Sequence, residues 1–103
     1  MYEYIGCIVL VRDNRAGIHV GVLKEVDLPN KVVILTNARK VWYWEKAASC
    51  HGIAANGLCQ INSRVAPLVP MVASTDVVEI VLCTGKGALS VLNAPVWGDD
   101  KGT

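Results

Sequence analysis

Residues 4–12 read YIGCIVLVR and residues 18–27 read IHVGVLKEVD, and these two stretches decide the fold. The first is a nearly continuous apolar run, which is typical of a buried strand. The second is a further strand in which Gly21 allows another backbone to approach closely. Residues 13–17, DNRAG, favour a turn between them with Gly17 at positive φ. The sequence therefore opens with two strands joined by a short turn.

The strand pattern continues toward the middle of the chain. A tight turn at residues 28–31 precedes a third predicted strand at residues 32–36, and Asn37-Ala38 separates it from a fourth at residues 39–44. Sixteen valines and no phenylalanine favour sheet over helix, because β-branched side chains suit a pleated surface. Four consecutive strands with short links indicate an antiparallel meander.

Two short helices follow from a change of pattern. Residues 46–56 are alanine-rich and end at Asn56-Gly57, and residues 84–92 begin at a capping Thr84 and end before Pro95. Between and after them the pattern predicts a strand at residues 59–64, an extended edge at residues 66–71 and a strand at residues 76–83. The predicted fold class is α+β, a small antiparallel sheet or partly closed barrel covered by two short helices.

Composition limits both the architecture and the partners. A chain of 103 residues with 52% hydrophobic and 18% charged residues indicates one folded domain, predicted over residues 1–97 with a flexible tail at 98–103. No apolar run reaches the roughly 20 residues that cross a bilayer, and residues 1–4 lack the basic region of a signal peptide, so an intracellular protein is predicted. A net charge of +1 argues against polymeric nucleic acid as a partner.

Neither the spacing of the cysteines nor any catalytic motif indicates an enzymatic reaction. The four cysteines form no Cys-x-x-Cys pair, so we expect reduced thiols, with no metal and no cofactor. Thr84-Gly85-Lys86-Gly87 opens a helix but departs from the P-loop pattern at two positions, so a capped helix start is predicted. No nucleophile and base occur in a recognisable arrangement, and the chain is not predicted to be an enzyme.

The most distinctive segment is residues 37–45, NARKVWYWE. Residues 31–46 carry four basic residues and one acidic residue, a local charge of +3. In a strand, Lys40, Trp42 and Trp44 point to one face, and Arg39, Val41, Tyr43 and Glu45 to the other. Indoles beside cations suit a ligand with an aromatic ring and an anionic group, and nucleotides are the commonest such ligands.

Three interpretations of this segment stay open. Its aromatic residues could fill the core, form a subunit interface or stack on a ligand. In the ligand interpretation Trp42 or Trp44 stacks on a base, Arg39 and Lys40 meet phosphate, and Asn37 bonds a base edge or ribose. The predicted ligand-binding residues are therefore Asn37, Arg39, Lys40, Trp42 and Trp44.

The motif VILTNAR at residues 33–39, followed by WYWE at 42–45 and AAS at 47–49, resembles a family of small tailed-phage proteins of unknown function. The resemblance extends weakly over residues 17–97, through VEI at 78–80 and APVW at 94–97. Members of that family often carry glycine where this chain has Lys46, and a more leucine-rich helix than residues 50–55.

By analogy with other small phage proteins, the resemblance implies an anti-defence role in the host cytoplasm. Some such proteins are oligomeric sponges that sequester nucleotide immune signals, such as cyclic ADP-ribose isomers and cyclic oligonucleotides, without cleaving them. A small chain gains a deeper site when symmetric subunits share its walls, so a homo-oligomer is predicted. The alternative is a structural or protein-interaction phage protein with no small-molecule ligand.

Overall fold

A computed structural model describes residues 2–44, 49–60 and 63–98. The predicted tail at 98–103 lies outside the described residues except for Gly98. A short 3-10 helix, Tyr2–Tyr4, precedes the first strand. The strands are β1 (Ile8–Asp13), β2 (Gly17–Asp27), β3 (Val32–Tyr43), β4 (Arg64–Val65), β5 (Val69–Ser74) and β6 (Val77–Leu82). The helices are α1 (Cys50–Asn56) and α2 (Gly85–Leu92).

The strands form one six-stranded antiparallel sheet in the order β4-β3-β2-β1-β6, with β5 also paired to β3. The sheet is not closed, because β5 and β6 each pair with one strand in the described chain. Only residues 75 and 76 separate these two edge strands, so the sheet curls until its edges meet at one end. The α+β class, the antiparallel sheet and the two short helices are confirmed.

The prediction of a break at Asn37-Ala38 is wrong, because β3 runs unbroken through both residues. Asn37 takes a φ of 48°, a left-handed conformation that asparagine tolerates, and the pairing with β2 shifts register opposite it. A Cβ on Gly21 would lie 2.7 Å from the Ala38 Cβ, so the two strands approach closely here, as predicted. Residues 33–38 of β3, which include the bulge, pair with β5, and residues 41–43 pair with β4.

Both helices begin with side-chain caps. Ser49 Oγ accepts from the Gly52 N–H at 3.2 Å, and α1 starts at Cys50, so residues 46–48 of the predicted helix lie outside the described residues. Thr84 Oγ1 accepts from the Gly87 N–H at 3.0 Å, which confirms the predicted helix start. The predicted strand at 59–64 is reduced to Arg64–Val65, with residues 61 and 62 outside the described part.

The sheet carries a buried cluster on each face. The helices cover one face, where Leu10, Val20, Val41, Ile53 and Val91 are all at most 1% exposed. The other face holds a second cluster that includes Val9, Val11, Leu23, Val33 and Leu35. A sheet buried on both faces is a rigid base for side chains at its ends.

No helix in the described ranges is both long and apolar enough for a membrane crossing.

Candidate functional site

A surface groove of about 440 Å³ lies at one end of the sheet, beside the first hairpin. Residues 12–18 form one wall, the end of β3 and Trp44 form another, and Cys50 at the start of α1 contributes to the rest. Its volume falls in the range of about 300–1,000 Å³ that small-molecule sites occupy. The groove is therefore large enough for a ligand of nucleotide size.

Two indoles line this groove. Trp42 is 46% exposed, whereas Trp44 is half-buried and packs against the helix-side core. Trp42 lies where the pairing between β3 and β4 shifts register between Val41 and Tyr43. Such a bulge re-aims the side chain of the extra residue, which accounts for the exposure of a large ring at a strand end.

Three cations line the same groove. Arg12 makes an ion pair with Glu79 (Nε to Oε1, 3.4 Å), and Arg15 lies 3.9 Å from Asp76 between Nε and Oδ2. Lys40 is exposed and makes no ion pair with the described residues. Its side chain lies close to Gly17, where an added Cβ would be 3.9 Å from the Lys40 Cε. Lys40 is therefore the cation most available to an anionic guest.

The carboxylate of Asp13 shapes the hairpin wall of the groove. Its Oδ1 accepts from the Arg15 and Ala16 N–H groups at 2.8 and 2.9 Å, and its Oδ2 accepts from Ser74 Oγ at 2.5 Å and from the Asp76 N–H at 3.1 Å. The Ser74 hydrogen bond, followed by these backbone donors, holds the pKa of Asp13 well below its usual value. Because both oxygens are occupied, Asp13 fixes the turn.

The structure places Arg39 away from the groove, on the helix-covered face. Arg39 is 3% exposed, and its Nε donates to the Ala66 carbonyl at 2.7 Å. Its Nη1 donates to the carbonyls of Val91, Leu92 and Ala94 at the end of α2. Burial lowers the pKa of this guanidinium from its usual value. Its Nε and Nη1 are committed to carbonyl oxygens, whereas its buried Nη2 has no hydrogen-bond partner among the described residues, and we assign Arg39 a structural role.

Asn37 also lies apart from the groove. It is exposed at the bulge in β3, three residues before Lys40, which corresponds to about 10 Å along a strand. Of the five predicted ligand-binding residues, the structure brings together Lys40, Trp42 and Trp44 and leaves Arg39 and Asn37 elsewhere. Lys40 and Trp42 lie in β3, whereas Trp44 follows the end of that strand and packs against the helix-side core.

Arg64 forms an aromatic cluster next to the groove. Its guanidinium carbon lies 5.2 Å from the ring centres of Trp42 and Tyr43 and 4.6 Å from that of Trp97. Cation–π contacts of this kind hold the rings in place. The sequence interpretation missed Arg64, because nothing in its own stretch indicates that β4 lies beside Tyr43.

Histidine, glutamate and cysteine side chains lie beside the groove and elsewhere in the described chain. His51 Nε2 lies 2.9 Å from Glu79 Oε2, and this contact lowers the pKa of Glu79. All four cysteines are free thiols, and burial raises the pKa of Cys83 to about 11. Within the described ranges, no three His, Cys, Asp or Glu side chains are grouped as metal ligands.

These features define a class: a small α+β domain with an open antiparallel sheet and an aromatic, basic groove at one end of it. The chain belongs to the family described as a domain of unknown function (DUF6948), whose model matches residues 6–91. No curated protein and no solved structure matches the chain. The motif at residues 33–49 predicts a family of unknown function, and that prediction is confirmed.

Proposed function

We propose that this protein binds a nucleotide-derived ligand in the groove beside the first hairpin and holds it without cleaving it. The observation that carries the proposal is the meeting of the exposed Trp42 ring with Lys40 in one groove. A base stacks on Trp42, and the Lys40 ammonium meets a phosphate. Arg12 and Arg15 lie along the opposite wall, where each is paired with a carboxylate of its own chain, so the charge offered to the ligand is mainly that of Lys40.

The biological setting of the proposal is sequestration of an immune second messenger by a phage protein in the host cytoplasm. The ligand class is a cyclic ADP-ribose isomer or a cyclic oligonucleotide, since each joins aromatic bases to anionic phosphates. Binding without turnover suits a groove in which Asp13, the one carboxylate among the described residues of its lining, has both oxygens hydrogen-bonded. The support for this setting is the family resemblance together with the chemistry of the groove.

Assembly of identical copies is part of the same proposal. The groove lies on the surface of a chain whose radius of gyration is 12.6 Å. A second copy placed over such a groove removes more of the ligand from water than one chain does.

The direct test is retention and release of ligand. The purified protein is incubated with each candidate messenger, desalted, heated and centrifuged, and the supernatant is analysed by mass spectrometry. We expect one messenger to be retained and released intact. Retention of none, or release of a hydrolysed product, would overturn the proposal.

Two groove variants then locate the site by calorimetric titration of the retained messenger. Trp42→Ala removes the stacking ring, which is worth about 1–3 kcal/mol, so Kd rises by about 5- to 150-fold. Lys40→Ala removes the charge-assisted contact, and we expect Kd to rise about tenfold. Lys24→Ala, an exposed lysine of β2 outside the groove, is the matched control and leaves Kd unchanged.

The same variants separate ligand binding from the alternative of an interaction protein. If Trp42→Ala changes native mass while no messenger binds to the unaltered protein, the ring belongs to a protein interface. If it leaves native mass and folding unchanged and removes ligand, the ring belongs to the groove.

A further inference from the structure

The two edges of the sheet are protected very differently. The β5 edge carries Pro70 inside the strand and Pro67 just before it, and proline lacks the N–H that a docking strand would use. The β6 edge reads VVEIVL and contains neither proline nor lysine. Natural sheets block exposed edges with these residues. At the start of β6 the Val77 N–H donates to the Lys31 carbonyl at 3.0 Å, so the part of this edge left open to pairing is residues 78–82.

The backbone of β6 has a defined outward set of groups. The Cys83 N–H donates to the Ile8 carbonyl of β1 at 3.1 Å. Because N–H directions alternate along a strand, Val81 and Glu79 also face β1. Ile80 and Leu82 therefore direct their N–H and C=O groups away from the sheet, where no described strand pairs with them.

Apolar side chains accompany this edge. Val78 and Leu82 are 47% and 44% exposed, and Leu28 beside them is 49% exposed. Leu28 and residues 77–80 line an apolar recess of about 180 Å³. An edge with free backbone groups and a row of apolar side chains fits an added strand.

We propose that two copies of this chain pair antiparallel along β6, with Ile80 of each copy opposite Ile80 of the other on a two-fold axis. This inference goes beyond the proposed function and rests on β6 alone, not on any ligand. The strand matches itself in this arrangement. Glu79 lies opposite Val81 of the second copy, and Leu82 lies opposite Val78, the residue at which the pairing of β6 with β1 shifts register.

Several registers would use the outward N–H and C=O groups of β6. The position of the Glu79 carboxylates and the number of paired residues favour the one proposed here. A shift toward the start of β6 would place the two Glu79 carboxylates directly opposite each other, which is unfavourable. A shift toward its end would leave only residues 80–82 of the strand paired, against residues 78–82 in the proposed register. Glu79 is already paired with Arg12 in its own chain, so its charge needs no partner across the axis.

The first test is native mass by light scattering or sedimentation over a range of concentrations. We expect the unaltered chain to form a dimer, and Val78→Lys to be monomeric, since a lysine opposes edge pairing. The matched control is Met71→Lys on the protected β5 edge, where Met71 is 51% exposed, and it keeps the mass of the unaltered chain. Circular dichroism confirms that both variants fold.

The second test measures the register by cross-linking. Opposed residues of a hydrogen-bonded pair have Cα atoms about 5.5 Å apart, within disulfide range, so oxidised Ile80→Cys should give a dimer joined through position 80. The two copies of position 78 would lie about 13 Å apart, so Val78→Cys should remain at the cross-linking level of the unaltered chain.

A monomer at every concentration, or a dimer unaffected by Val78→Lys, would overturn the β6 interface. A dimer that cross-links through position 78 instead of 80 would overturn the register. Failure here is separable from failure of the proposed function, because messenger retention is measured on the same protein independently of its mass. A chain that binds messenger as a monomer would contradict this inference and the assembly part of the proposed function, and it would leave ligand binding in the groove intact.

Discussion

Arg39 and Lys40 are neighbours in the sequence, yet they lie on opposite faces of β3 in opposite environments. The Arg39 guanidinium is buried under α2 and donates to four backbone carbonyls. The Lys40 ammonium is exposed in the groove beside Trp42. Strand alternation alone separates them, but what covers each face decides whether a cation stabilises the fold or is available to a ligand.

The carbonyls that Arg39 contacts explain why a charge is tolerated there. The last carbonyls of a helix have no partner within the helix, and they carry the negative end of its dipole. Arg39 donates to the carbonyls of Val91 and Leu92 and thereby fixes the C-terminal end of α2 against the sheet. On the helix-covered face the cation of Arg39 is therefore buried and hydrogen-bonded, whereas in the groove the cation of Lys40 is exposed to solvent.

The largest effect is expected from Arg39→Ala. Removing the guanidinium takes one donor from each of four carbonyls, of which that of Val91 keeps the Ala94 N–H, so we expect a loss of about 3–5 kcal/mol in the free energy of unfolding, measured by urea denaturation. Arg39→Lys keeps the charge but cannot reproduce the planar fork, and should lose less than Arg39→Ala.

The control on the groove face is Lys40→Ala, which should change the free energy of unfolding by less than about 0.5 kcal/mol. Equal stability losses for Arg39→Ala and Lys40→Ala would remove the contrast between the two faces. If Arg39→Ala kept full stability and lost messenger, the structural role assigned to Arg39 would be wrong.

A smaller effect is expected where the two helices meet. A Cβ on Gly87 would clash with the Ala54 carbonyl oxygen of α1, whereas a Cβ on Gly85, two residues earlier in α2, meets nothing within 4 Å. We expect Gly87→Ala to cost about 2–3 kcal/mol in unfolding free energy, because backbone has to shift to admit it. Gly85→Ala should be neutral or slightly stabilising. Similar melting temperatures for the two variants would show that the helices do not pack this closely.

Much of the fold could be predicted from local patterns. The first hairpin, the start of α2 at Thr84 and the edge character of the proline-rich segment depend on turn, cap and proline chemistry that neighbouring residues reveal. The continuity of β3 could not, because Asn37-Ala38 looks like a turn locally. It becomes a bulge only because Gly21 of β2 lets Ala38 approach closely.

The candidate site was predictable only in part for the same reason. Alternation predicts Lys40, Trp42 and Trp44 on one face, whereas Trp44 packs against the helix-side core beyond the end of β3. Nothing local indicates that α2 ends over Arg39, since the contact joins residues 52 positions apart for Val91. The cation–π cluster of Arg64 with Trp97 likewise depends on β4 lying beside β3.

The smallest effect, and the one specific to the groove face, is expected at Asp13. Its pKa is lowered on folding, so the ionised carboxylate stabilises the protein above its unfolded pKa of about 3.9, and this stabilisation is lost as the pH falls below that value.

Asp13→Asn presents an amide that cannot accept all four hydrogen bonds, and we expect it to cost about 1.5 kcal/mol of unfolding free energy at pH 7. At pH 3 the unaltered protein has lost part of this advantage, so the difference between the two proteins should narrow. Asp27→Asn, at an exposed carboxylate of β2 that accepts one side-chain hydrogen bond from Asn30, is the matched control and should cost less unfolding free energy at pH 7 than Asp13→Asn. A difference that is the same at pH 3 and pH 7 would mean that the charge of Asp13 does not hold the groove wall, and the turn would then depend on its neutral hydrogen bonds alone.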